Sequence, residues 1–218
     1  SRLLITCQSF KVSQTETIMS RGSSQEYLLQ GSILDDAVEM ILHRLRGMSD
    51  DSVESQIKFK EHELVYSMRE STTSVVNVRV RRSLAAPDQP ATLCYLGHPE
   101  LGDKSRPTTV RTCVEVNCSP NVRAFLQELG FRLEFEYVTQ GWRFRRNRLK
   151  ATVAKVHKIL SPPNLDQISP LSKSHLVEVS LVSNSGDERA ANEVQTFAAQ
   201  LQPLVNLEKK DPRRPEMQ

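Results

Sequence analysis

Apolar residues recur at helical spacing in three segments of the chain. In the first segment, which follows Gly31 and is expected to end at Gly47, they form a single stripe. Carboxylates at the start of the segment and basic residues in its last turn suit the helix dipole. We therefore predict an amphipathic helix with one buried face. The stripe consists of Leu34, Val38, Ile41, Leu42 and Leu45.

Two further helices have clear boundaries. The first of them is predicted between Ser119, as its N-cap residue, and Gly130, as its stop residue. The other is expected from about residue 187 to residue 202, where Ser185 and Glu188 have the spacing of a capping box. Both segments carry apolar residues on one side, so we expect each helix to pack against a core.

Between the helices the spacing of apolar residues changes to two, which is typical of half-buried strands. The alternation is clearest over residues 76–81, 133–137 and 177–181, and Leu133, Phe135 and Tyr137 are expected on a buried face. Residues 161–170 are predicted to be a loop. Weaker strand patterns cover residues 27–30, 62–68, 91–96, 109–116, 141–146 and 151–160.

The order of these elements predicts the fold class. Strands joined by turns, without regular alternation of strand and helix, indicate an α+β protein with an antiparallel sheet and about three flanking helices. About nine strands in one sheet favour a curved sheet that closes into a barrel. We expect a flexible N-terminal extension over residues 1–24, a single domain over residues 25–214 and a short tail over residues 215–218.

The composition argues against several classes of protein. Hydrophobic residues make up 38% of the chain, and no run approaches the roughly 18 apolar residues that a membrane span needs. The apolar start of the chain is too short for a secretory signal. A net charge of +3, from 29 basic and 26 acidic residues, is too balanced to indicate nucleic-acid binding by the whole surface.

The cysteines show no metal-binding spacing. Cys7, Cys94, Cys113 and Cys118 include no C-x-x-C pair, and no histidine stands where it would complete a zinc site. We expect reduced thiols that are mostly buried as small apolar side chains. The chain also lacks a glycine-rich phosphate loop and the common hydrolase motifs. We therefore expect no cofactor, no bound metal and no small-molecule substrate.

Two carboxylates are the best candidates for catalytic chemistry. Glu134 and Glu136 alternate on one predicted strand, so both side chains should point to the same side of the sheet. Such a pair could hold a divalent cation. The same alternation is also typical of the solvent-facing side of a half-buried strand, and the two interpretations remain open.

The densest group of basic residues surrounds Trp142 and Phe144. It admits three interpretations: a solvated face or barrel lining, a contact for an acidic protein segment, or a nucleic-acid site in which the aromatic rings stack on bases. It is the one candidate partner-binding site that the sequence offers. The group consists of Arg143, Arg145, Arg146, Arg148 and Lys150.

Several of these segments resemble the family of Mediator head-module subunit eighteen. The resemblance extends over about residues 26–214, and its specificity comes from the order and spacing of short stretches. They are EYLLQGS at 26–32, LHRLRG at 42–47, YLG at 95–97, GDK at 102–104, VR at 110–111, GFR at 130–132, and the segment from LV at 204–205 to DP at 211–212.

The resemblance implies a non-catalytic, nuclear transcription coactivator subunit that works by protein contacts. Its implied fold is a barrel, and its implied partners are Mediator subunit twenty, a C-terminal helix of subunit eight, the other head-module subunits and, directly or through them, RNA polymerase II. The family's barrel is also similar to the triphosphate tunnel metalloenzymes, so metal-dependent triphosphate hydrolysis is the alternative function. Their Glu-x-Glu-x-Lys signature is missing here, because Val138 stands where the lysine after Glu134 and Glu136 is required.

Overall fold

The computed structural model describes residues 24–52, 55–69, 75–100 and 106–209. The predicted tail over residues 215–218 and all but the last residue of the predicted extension lie outside these ranges. Nine strands and three α-helices are found in the described ranges. They are β1 (Ser24–Leu34), α1 (Val38–Met48), β2 (Gln56–Arg69), β3 (Val75–Ser83), β4 (Ala91–Leu96), β5 (Thr109–Cys118), α2 (Val122–Glu128), β6 (Arg132–Arg146), β7 (Leu149–Ser161), β8 (Asn164–Pro170), β9 (Ser174–Asn184) and α3 (Glu188–Ala199).

Eight of these strands form a closed antiparallel barrel. The order around the ring is β6-β2-β3-β4-β5-β1-β9-β7, and pairing of β7 with β6 completes it. The remaining strand, β8, pairs with the far end of β7. Closure leaves no unpaired edge in the ring, which is how an antiparallel sheet of this size avoids exposed backbone groups. The α+β barrel predicted from the sequence is therefore confirmed.

The apolar cores lie outside the barrel, between its outer face and the helices. α1 and α3 cover the side formed by β1, β9 and β7, where Leu42 and Val194 are fully buried among the aliphatic side chains of the strands. The shorter α2 covers β2, β3 and the start of β4 through Val122 and Leu126. Burial of this kind contributes about 1.5–3 kcal/mol for each large aliphatic side chain.

The alternation in β3 shows how this arrangement divides the side chains. Val78 and Val80 point outward and are buried beneath α2. The intervening Arg79 and Arg81 therefore point into the barrel and line its cavity. The apolar alternation was predicted, but its polar face meets the barrel interior and not bulk solvent.

The predicted boundaries of α1 and α2 need correction. Leu34, which was assigned to the first helical stripe, ends β1 and is exposed, because a short 3₁₀ helix over Asp35–Ala37 precedes α1. Gly47 lies inside α1, and the helix ends one residue later, where the Ser49 backbone amide and hydroxyl both donate to the carbonyl of Leu45. α2 begins after Asn121, while Ser119 lies in the preceding turn. Of these predicted boundary residues, only Gly130 is confirmed as the stop after α2, and its φ of +94° is one that glycine adopts readily.

The N-terminus of α3 also differs from the prediction. The capping residue is Asp187, whose Oδ1 accepts hydrogen bonds from the backbone amides of Arg189 and Ala190 at 3.1 and 3.3 Å. Ser185 belongs to the turn before the helix. A carboxylate satisfies the free amides of a first turn as well as a serine does and also suits the positive end of the helix.

Three strand assignments were wrong or incomplete. Residues 164–170, which were predicted to be part of a loop, form β8. The strands predicted over residues 133–137 and 141–146 are parts of one continuous strand, β6. Leu133 and Phe135, predicted to be buried, are 40% and 57% exposed. A β-bulge in β6 accounts for part of this unexpected exposure. Val65 of β2 pairs with Phe135, and the next residue of β2, Tyr66, pairs with Leu133. Glu134 is therefore an extra residue that interrupts the alternation of β6. Within the described ranges no helix is long and apolar enough to span a membrane.

Candidate functional site: the barrel interior and an exposed outer face

Charged side chains line the barrel interior and surround a cavity of about 140 Å³. Among the described residues that line it, five are carboxylates and five are cations, so the formal charges cancel. Several neighbouring strands contribute, since alternate residues of each strand point inward. The carboxylates are Glu26, Glu61, Glu63, Glu115 and Glu178, and the cations are Arg79, Arg81, Arg111, Arg143 and Lys150.

Ion pairs connect neighbouring strands across this wall. Arg111 on β5 donates from Nε to Oε2 of Glu26 on β1 at 2.8 Å, and its Nη2 lies 2.7 Å from the same oxygen. Glu61 on β2 accepts hydrogen bonds from Nη2 of Arg143 on β6, at 3.3 and 3.2 Å, and lies 3.6 Å from Nε of Arg81. A charge that leaves water must be compensated in this way, because an unpaired one would cost several kcal/mol.

A second set of hydrogen bonds fixes Glu63. The hydroxyl of Tyr137 donates to Oε2 of Glu63 at 3.0 Å, and the hydroxyl of Thr139 donates to Oε1 at 3.1 Å. Burial raises the pKa of Tyr137, and the nearby Glu63 carboxylate raises it further. The phenol therefore stays protonated and acts as a hydrogen-bond donor to the Glu63 carboxylate.

Two buried thiols lie on the same inner wall. Cys94 on β4 and Cys113 on β5 are close enough to share a hydrogen bond, which raises the pKa of Cys94 and lowers that of Cys113. Burial adds to the increase at Cys94 and opposes the decrease at Cys113. The third described cysteine, Cys118 at the end of β5, is partly exposed.

An apolar patch remains uncovered on the outer side of β4 and β5. Tyr95 pairs with Val114 across the two strands, and Val116 lies two residues further along β5 on the same face. The three side chains are 39%, 46% and 47% exposed. We call Tyr95, Val114 and Val116 the β4–β5 outer face. Adjacent exposed apolar residues on one sheet face are a feature of protein-binding surfaces.

The basic residues around Trp142 do not form one surface. Arg143 and Lys150 line the barrel interior, whereas Arg145 is exposed. Arg146 lies over the ring of Phe197 at 6.0 Å, and Arg148 pairs with Asp187 and Glu193 at 2.9 and 2.6 Å. Alternation along β6 places Arg146 on the opposite face from Arg143 and Arg145, and Arg145 lies at the exposed end of the inner face. Arg146 and Arg148 contact α3 and its capping residue.

The two candidate carboxylates on β6 are also not brought together in the cavity. Glu136 Oε2 lies 2.8 Å from Nε2 of His62, and both residues belong to the outward-facing set of their strands. Glu134, at the bulge, is exposed and accepts a hydrogen bond from the hydroxyl of Ser67. The carboxylates that do face the cavity were missed from the sequence, although Arg79 and Arg81 alternating with valines were the signal of a charged inner wall.

A groove of about 590 Å³ runs past Trp142 on the outer side of β6 and β7. At its edge, Asp35 Oδ1 lies 2.5 Å from Nζ of Lys155 and 3.0 Å from Nδ1 of His175. The hydrogen bond from Lys155 lowers the pKa of Asp35. Burial lowers the pKa of His175 and the Lys155 ammonium adds to this effect, while the charge and hydrogen bond of Asp35 oppose it.

Comparison with known proteins gives consistent matches over almost the whole chain. The family model described as Med18 protein matches residues 25–214. The Mediator of RNA polymerase II transcription subunit 18 of Danio rerio is 46% identical over 189 residues, which are 87% of this chain and 90% of that relative.

Solved structures share the fold at low sequence identity. A chain of the Schizosaccharomyces pombe Mediator head module superposes with a TM-score of 0.69 at 14% identity, covering 85% of this chain and 98% of that chain. The Mimivirus capping enzyme triphosphatase superposes with a TM-score of 0.53 at 8% identity, covering 83% and 90%. At these identities the likeness concerns the barrel alone, and activity must be argued from the residues themselves.

Proposed function

The chain belongs to the Mediator subunit 18 family, and from this premise we propose that it is a non-catalytic subunit of the Mediator coactivator complex that works by protein contacts in the nucleus. The observation that supports a contact function is the β4–β5 outer face. Three large apolar side chains remain exposed there, although α2 covers the neighbouring outer face of β2 and β3. Because each side chain is less than half exposed, burying the remainder against a partner would contribute roughly 1 kcal/mol for each one.

The partners that we propose are those implied by the family. Mediator subunit twenty would pair with this chain, a C-terminal helix of subunit eight would dock on it, and the other head-module subunits would link it to RNA polymerase II. We propose that the β4–β5 outer face binds subunit twenty, since two sheets pack face to face through apolar residues. Of the basic group around Trp142, the exposed Arg145 is the residue that we propose contacts an acidic segment of a partner.

We further propose that the barrel interior does not catalyse triphosphate hydrolysis. A metal-dependent hydrolase needs carboxylates that are free to bind the cation and an excess of positive charge for the phosphates. Here four of the described carboxylates that line the cavity accept hydrogen bonds from neighbouring side chains, and only Glu115, which lies 3.7 Å from Arg81, accepts none. The described lining charges cancel, so no excess of positive charge is left for a triphosphate. Glu134 and Glu136, the candidates of the alternative function, do not line it.

Affinity purification from nuclear extract, followed by mass spectrometry, tests the proposed assembly. A tagged chain should recover Mediator subunits in constant ratio, with subunit twenty retained at the highest salt concentration because the contact that we propose for it is apolar. Recovery of the tagged chain without Mediator subunits would contradict the proposal. A parallel assay for phosphate release from nucleoside triphosphates and tripolyphosphate, with magnesium or manganese, should show no turnover above the buffer blank.

A further inference from the structure

The pairing of β4 with β5 brings together three metal-binding side chains that are separated in sequence. Cys94 is opposite Glu115, and Cys113 precedes Glu115 by two residues on the same strand. All three residues therefore belong to the inward-facing set, and Cys94 and Glu115 line the cavity. One donor atom from each residue, the two Sγ atoms and a carboxylate oxygen, lies within 4.8 Å of the other two.

We propose that Cys94, Cys113 and Glu115 form a binding site for a thiophilic divalent cation of the Zn²⁺ type. Two thiolates select a soft or borderline ion over Mg²⁺ and Ca²⁺, which require oxygen ligands. Zinc ligands at bond lengths of about 2.0–2.3 Å are separated by about 3.3–3.8 Å in a tetrahedral site. Small side-chain rotations bring the three donors to that spacing, and a water from the cavity supplies the fourth ligand.

The surroundings balance the charge that such a site carries. Two thiolates, one carboxylate and a divalent cation leave a net charge of −1. Nη1 of Arg81 lies 3.7 Å from Oε1 of Glu115 and provides the compensating positive charge. An outer partner of this kind orients the carboxylate and keeps it ionised, as the neighbours of metal ligands commonly do.

The position of the site in the barrel wall allows an ion to enter from the cavity and to link β4 to β5. Cys94 and Cys113 are 2% and 6% exposed, so an ion bound there is shielded by the wall, but it adjoins the polar cavity through Glu115. Crosslinking β4 to β5 would stiffen the strands whose opposite side is the β4–β5 outer face. Metal binding at these three residues does not depend on whether that face is a subunit interface.

Cobalt binding to the reduced, metal-free full chain tests the site. We expect one Co²⁺ per chain with thiolate-to-cobalt charge-transfer absorption, which an equal amount of Zn²⁺ should abolish. Cys94→Ser and Cys113→Ser should each remove this absorption. Glu115→Gln should keep it and weaken cobalt binding at least about 10-fold. The matched control is Cys118→Ser, which should bind cobalt as the wild type does.

A second readout keeps the test decisive if a cysteine variant does not fold. In the wild-type chain, saturating Zn²⁺ should slow alkylation of Cys94 and Cys113, located by peptide mass spectrometry, at least about 10-fold and leave Cys118 unchanged. Absence of charge-transfer absorption at saturating Co²⁺ would overturn the proposal. So would absorption that survives in a folded Cys94→Ser variant, or zinc protection that does not distinguish these thiols from Cys118.

Discussion

Arg111 on β5 pairs with Glu26 on β1 inside the barrel, with a shortest N–O distance of 2.7 Å. Both side chains are largely removed from water, and the pair joins two neighbouring strands of the ring. The pair lowers the free-energy cost of burying charge in the barrel, since the Glu26 carboxylate would otherwise be buried without a compensating cation.

Replacement of this arginine should therefore destabilise the fold. We expect Arg111→Met to lower the free energy of unfolding by about 3 kcal/mol, because Glu26 is left without its cation. The double variant with Glu26→Gln should recover most of that loss, since no charge then remains unpaired. Urea unfolding of the two variants and the wild type measures both effects, and equal losses in the single and double variants would contradict this account.

The cap of α3 gives a second prediction. Asp187→Ala should lower the free energy of unfolding by about 1 kcal/mol, because two backbone amides lose their acceptor and Arg148 loses one partner. Ser185→Ala is the matched control and should be nearly neutral, although the sequence alone pointed to Ser185 as the cap. Thermal unfolding at neutral pH distinguishes the two positions.

The first helix tests the position of the core. Leu42 is fully buried between α1 and the barrel, so Leu42→Ala should cost about 2–5 kcal/mol. Met40 lies on the exposed side of the same helix, and Met40→Ala should change the stability by no more than about 0.5 kcal/mol. A neutral result at Leu42 would mean that this stripe faces a partner and not the core.

A buried histidine and a partly buried one should make the stability depend on pH. The pKa values of His157 and His175 are lowered in the folded state, in both cases mainly by burial. The unfolded chain therefore takes up protons first as the pH falls, and stability that is complete above a pH of about 6.5 should decline below it. Unfolding measured from pH 7.5 to 5 should show this decline, and the His157→Gln, His175→Gln double variant should show less of it.

The sequence predicted the local structure well where a strand or helix is defined by its own residues. The limits of β4 were predicted correctly, and the alternation of Val78 and Val80 with Arg79 and Arg81 identified β3 and its apolar face. That alternation does not say whether the polar side meets solvent or a barrel interior. The answer depends on closure between β6 and β7 and on helices that come much later in the chain.

The candidate sites illustrate the same limit at single residues. Glu134 and Glu136 were expected on one side of a strand, but an inserted residue at the bulge breaks that relation. Conversely, Cys94 and Cys113 have no metal-binding spacing in the sequence, and only the pairing of β4 with β5 brings their sulfurs together. Contacts between residues far apart in sequence therefore determine both sites.

Assembly of the complex around surface variants tests the central claim most directly. Two tagged variants should be compared with the wild type by quantitative mass spectrometry of the purified complex, after thermal unfolding has shown that both are folded. The double variant Val114→Glu, Val116→Glu places charges on the β4–β5 outer face, and its recovery of Mediator subunits should fall at least about 10-fold, since each charge in an apolar contact costs several kcal/mol. The double variant Glu134→Gln, Glu136→Gln should recover them as the wild type does. Normal recovery by a folded Val114→Glu, Val116→Glu variant would contradict the claim that the chain functions through this surface.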